Sequence, residues 1–147
     1  WEAGGAGGTY SFGLIGSDAT PSSALPRLQV NTTNGEVSLV NPATNVNSIT
    51  LAGYELISPG NRLLDTWEGL SVSAAADAIG SGEGQKWEKA AESNSDLLSE
   101  LFLQGSSTIV PGSSLSLGTA YMSGAGDPAM TFTYYNPIRG INQTLPV

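Results

Sequence analysis

The sequence predicts an all-β domain, and three observations carry that expectation. Short runs of alternating apolar and polar residues recur along the chain, and clusters of turn formers separate them. Charged residues make up only 12% of the 147, with nineteen glycines and abundant Ser and Thr. A helical bundle would need more Glu, Lys, Leu and Ala at helical spacing. The length suits one domain with a core that needs no staples.

In chain order, WEAGGAGG at Trp1–Gly8 reads as a linker, or as an arm that docks on a neighbouring molecule. Thr9–Ile15 alternates Tyr10, Phe12 and Leu14 against smaller residues and reads as a first strand. Ser17–Pro26 is a loop. Arg27–Asn31 is a strand with Leu28 and Val30 inward, and Asn34-Gly35 after it is a hairpin signal.

Glu36–Val40 alternates cleanly, with Val37 and Leu39 apolar. Asn41–Asn45 then breaks the pattern with turn formers. Ile49 and Leu51 resume the alternation, but Tyr54 and Leu56 have the opposite parity. A bulge at Ala52-Gly53 returns both pairs to one face. The expected unit is a β-hairpin with one kinked strand.

Residues 63–95 differ in texture and read as one long insertion, with Trp67, an Ala-rich patch and a Gly/Ser loop. Gln85–Glu92, QKWEKAAE, is expected to form a short helix. A strand is expected from Ser99, then a hairpin of Thr108–Val110 and Ser113–Gly118 around Pro111-Gly112. Ala129–Tyr135 is the expected last strand, with Met130, Phe132 and Tyr134 on one face and Tyr135 on the other. Asn136–Val147 follows as an extended tail.

Composition narrows function. The net charge of −8 repels nucleic-acid phosphates and anionic membranes, and it keeps a secreted protein soluble. Without Cys there is no disulfide or thiol chemistry; without His, the commonest general base and transition-metal ligand is missing. No apolar run is long enough to span a bilayer. The sequence opens at Trp1 with no Met or signal peptide, which reads as a processed form or an excised domain.

Short strands at this spacing predict a sandwich or barrel. The segments VSLVNPATNVNSITLAGYELIS and TIVPGSSLSLG resemble lamin-tail-type immunoglobulin-like domains: a strand ending in Asn41, the Leu51-Ala52-Gly53-Tyr54 strand, and Pro111-Gly112 before an apolar pair ending at Leu117. The chain is more similar still to secreted bacterial β-sandwich modules of planctomycete-type surface and polysaccharide-degrading proteins. The likeness covers about Thr9 to Tyr135, with the Trp67–Trp87 insertion departing from it. It implies an immunoglobulin-like, Greek-key sandwich (residues 9–135, insertion 63–95) and an extracellular or cell-surface location. It assigns no catalytic residue.

Candidate site residues follow from sugar chemistry. Pyranose C–H faces stack on aromatic rings, and sugar hydroxyls pair with amides and carboxylates. Trp67, Trp87, Tyr121 and Tyr135 are the expected platform, with Asn136 and Gln85 as hydrogen-bond partners. For Trp67 and Trp87 a cover over the open edge of the core is the slightly favoured alternative, since Trp is usually highly buried. Calcium is the one metal the oxygen-rich composition suits, through Asp65 with Glu68 or through Asp127; no cofactor is expected. Carboxylates such as Glu83, Glu88, Glu92, Asp96 and Glu100 are numerous, but nothing in the sequence sets two across a cleft as glycoside hydrolysis requires. Asn31-Thr32-Thr33 and Asn142-Gln143-Thr144 match the N-glycosylation sequon, which matters only in a eukaryotic secretory host. The expected role is a secreted, non-catalytic module that binds polysaccharide by aromatic stacking. The alternative is a structural subunit of an extracellular filament or surface layer, built by β-strand addition and self-associating through Trp1–Gly8.

Overall fold

A computed structural model describes residues 25–126 and 128–147. Among the described residues ten strands form three antiparallel sheets: β1 (Arg27–Val30), β2 (Glu36–Asn41) and β8 (Ser113–Thr119) in one, and a β3 (Ile49–Leu51) and β7 (Ser107–Ile109) ribbon. The third sheet has the order β10-β9-β4-β6-β5: β4 (Gly53–Ile57), β5 (Glu88–Lys89), β6 (Leu97–Leu101), β9 (Thr131–Asn136) and β10 (Ile141–Leu145). The only helical turn among the described residues is a 3-10 turn, Leu70–Val72. No helix among them is long and apolar enough to cross a membrane.

The inner faces meet in one core. Leu28, Val37, Leu39 and Leu117 come from the first sheet, Ile49, Leu51 and Ile109 from the ribbon, and Tyr54, Leu56, Leu98, Phe132 and Tyr134 from the third. This is a β-sandwich, the arrangement that lets half-buried sheets hide their apolar sides.

Several local expectations hold. The β1–β2 hairpin turns at Asn34-Gly35; Gly35 has φ +81°, and a Cβ there would lie 2.1 Å from the Tyr121 carbonyl oxygen. The parity shift at Ala52-Gly53 also holds, and Ile49, Leu51, Tyr54 and Leu56 are all buried. Its consequence is larger than a bulge. The strand breaks at Ala52, so β3 pairs with β7 while β4 joins β6 and β9.

Other expectations are corrected. The turn at Asn41–Asn45 does not close a hairpin, because β2 pairs with β1 and β8 and the chain then crosses to the ribbon. Buried Asn41 holds that crossover: its Nδ2 donates to the carbonyls of Asn47 and Ile109. Pro111-Gly112 likewise joins β7 to β8 across two sheets, with Gly112 at φ +85°. The expected helix at Gln85–Glu92 is absent. Trp87 is buried and Glu88–Lys89 pairs with β6 as a short edge strand, because anchoring the indole outweighs the weak helix propensity of an eight-residue run. The stretch expected as an extended tail contains β10, paired with β9 over its whole length. Trp1–Gly8 and the strand expected at Thr9–Ile15 lie outside the described residues.

Candidate functional site

The crossover from β4 to β6 is tied into the core by three polar anchors. Trp67 Nε1 donates to the Leu117 carbonyl at 2.7 Å, and Trp87 Nε1 donates to Ser107 Oγ at 3.0 Å. Lys89 Nζ donates to the Trp67 carbonyl at 2.8 Å and lies 5.2 Å from the Trp67 ring centroid. The third anchor is Glu100, fully buried on β6. Its carboxyl accepts from the Leu70 amide at 2.8 Å, the Ser71 amide at 2.7 Å, and the Tyr54 hydroxyl. Burial, then the Glu100 charge and hydrogen bond, push the Tyr54 phenol well above its ordinary value.

The expected aromatic platform is therefore corrected. Trp67, Trp87 and Tyr121 are 2%, 1% and 0% exposed and offer no ring face to a sugar. Each instead fills the core and places its one polar atom on a protein acceptor, the Tyr121 hydroxyl on the Gly126 carbonyl. Asn136 is a turn residue: its Oδ1 accepts from the Ile138 and Arg139 amides and shapes the β9–β10 hairpin. Gln85 accepts from the Gly82 amide and braces the glycine-rich loop. Asp65 and Glu68 are exposed, and among the described residues no three His, Cys, Asp or Glu side chains gather to hold a metal; Asp127 lies outside those residues.

Tyr135 is the exception, at 42% exposure. It stands on the outer face of the five-stranded sheet, in a row set by strand register: Asn142 on β10, Tyr135 on β9, Gly53 on β4, Leu101 on β6 and Glu88 on β5. The neighbouring row carries Thr144, Thr133, Glu55 and Ser99. Where Gly53 has no side chain the sheet is hollowed into a shallow depression of about 120 Å³, lined by Tyr135, Leu101, Glu55, Ser99, Thr133 and Asn142 among others. A Cβ on Gly53 would lie 2.7 Å from Leu101 Cδ2, so the leucine leans into the space the glycine leaves.

The depression thus has an aromatic wall, an aliphatic wall, and a carboxyl, an amide and hydroxyls between them. Of its residues, the sequence pointed to Tyr135 alone. Gly53 carried a signal, a glycine inside a strand pattern, which marks close backbone approach as readily as a bulge. Asn142 was hidden in an apparent tail. Set against family models, curated proteins and solved structures, the chain matches none of them.

Proposed function

We propose that the protein is a non-catalytic, extracellular carbohydrate-binding module whose site is the depression over Gly53. The observation that carries this reading is the half-exposed Tyr135 ring beside a hollow rimmed by Glu55, Asn142, Ser99 and Thr133. Sugars ask for this combination of one apolar ring face and several hydrogen-bonding groups. The net charge of −8 favours neutral over anionic polysaccharides. The proposal includes an immunoglobulin-like sandwich of the lamin-tail type; the buried Asn41 at the end of β2 and the Pro111-Gly112 connection support it. A glycan array followed by calorimetry tests the function. Saturable binding to one polysaccharide class, lost in Tyr135→Ala with the fold intact, is expected. Binding unchanged in Tyr135→Ala would remove the site, and no binding by the folded protein would remove the function.

The second reading, a structural subunit assembled by β-strand addition, is favoured by one observation: among the described residues β10 is an edge strand, paired on one side only.

A further inference from the structure

The sheet edges of this protein differ in how they are protected. β5 is two residues long, and β1 begins after Pro26 with Arg27, its Leu28 amide already donating to the Pro146 carbonyl. The outer side of β8 is covered where Trp67 Nε1 meets the Leu117 carbonyl, and Gly118 beyond it has φ +84°. β3 runs beside β9 through the Ala52 amide bonded to the Tyr135 carbonyl. Among the described residues β10 shows none of these devices along Ile141–Leu145, the Leu28 bond reaching only the Pro146 carbonyl just past its end. Its five residues, Ile-Asn-Gln-Thr-Leu, carry no charge, proline or glycine, and Ile141, Asn142 and Thr144 are exposed. Such an edge is a template for another strand.

We infer that β10 pairs antiparallel with β10 of a second copy of this chain, about a two-fold axis through Gln143. The strand is self-complementary in that register. Ile141 faces Leu145 of the other copy, Asn142 faces Thr144, and Gln143 faces its own counterpart, so apolar meets apolar and polar meets polar without a like-charge clash. Ile141, 47% exposed although it belongs to the core-facing row with Gln143 and Leu145, gains the neighbour it lacks. The two five-stranded sheets become one of ten strands. Both Tyr135 side chains then lie on the same outer face, their strands separated by three spacings, about 14 Å. The pairing is isologous and closes at two copies, so it does not grow into a filament.

Analytical ultracentrifugation of the full chain across micromolar concentrations tests this, with hydrogen exchange on the same samples. The expected result is a reversible dimer whose formation slows exchange at residues 141–145. Ile141→Lys, with unchanged circular dichroism, shifts dissociation at least tenfold toward monomer. A monomer at every concentration, with exchange at 141–145 independent of concentration, overturns the inference. So does a dimer that survives Ile141→Lys, or one abolished by removing residues 1–24 while residues 141–145 exchange freely. Should Ile141→Lys fail to fold, exchange in the unaltered protein decides alone. None of these readouts involves a glycan, so failure here leaves the binding reading standing, and the reverse.

Discussion

Tyr54 and Glu100 stand directly opposite each other on β4 and β6, and the phenol donates to the carboxyl inside the core. The same carboxyl accepts the Leu70 and Ser71 amides, so one side chain ties the sheet to the 3-10 turn of the crossover. A Cβ at Gly69 would lie 2.5 Å from Glu100 Oε2 and 2.3 Å from Trp67 Cζ2, so only glycine lets the chain pass over both groups.

Glu100→Ala leaves three buried or part-buried donors without an acceptor, each costing roughly 1–3 kcal/mol. The expected outcome in chemical denaturation is a loss of about 3 kcal/mol or more. A loss below about 1 kcal/mol would show that water replaces the carboxyl.

The raised Tyr54 pKa has a pH signature. Below about pH 10 the phenol is protonated folded and unfolded, and its contribution to stability is complete. Above that, the unfolded chain releases the proton while the folded one holds it, so stability falls as pH climbs toward the raised folded value. Denaturation midpoints measured from pH 8 to 11 should drop on the alkaline side, and Tyr54→Phe should flatten that limb.

Trp67→Ala and Trp87→Ala are folding variants. Each empties a large core position and should cost about 3–5 kcal/mol, read as a lowered melting temperature. Tyr135→Ala removes a half-exposed ring and should cost less than about 1 kcal/mol while abolishing glycan binding. Equal destabilisation by all three would overturn this division.

Gly53→Ala separates the hollow from the fold. The new methyl meets the mobile end of the Leu101 side chain rather than backbone, so the leucine can swing aside at small cost. Stability should change by less than about 1.5 kcal/mol. Affinity measured by calorimetry should fall at least tenfold, because the methyl displaces the Leu101 side chain and so reshapes the depression a sugar would occupy; undiminished affinity would place the ligand elsewhere.

Strand positions were legible wherever one face alternates, as at Val37-Leu39, Leu28-Val30 and Phe132-Tyr134, because side-chain period follows burial. Pairing was not. Residues 41–45 and 110–113 carry the same turn chemistry as a hairpin, yet both connect different sheets, a choice made by the core and by the Asn41 side chain. QKWEKAAE reads as helix locally and is overruled by the Trp87 indole. β10 was missed because Asn-Gln-Thr supplies no apolar alternation at a half-open edge. At the site, Tyr135 was found by its parity within β9, and Glu55 and Asn142 could be joined to it only once the register was known.

The ring cluster has a spectroscopic consequence. Tyr54 lies 6.4 Å from Trp67 and 5.8 Å from Trp87, and Trp87 lies 5.7 Å from Phe102, all out of contact with water. Emission from these two indoles reports whether the interior is intact and is blind to a ligand on the far side of the sheet. A titration that leaves their colour and intensity unchanged says nothing against binding at Tyr135.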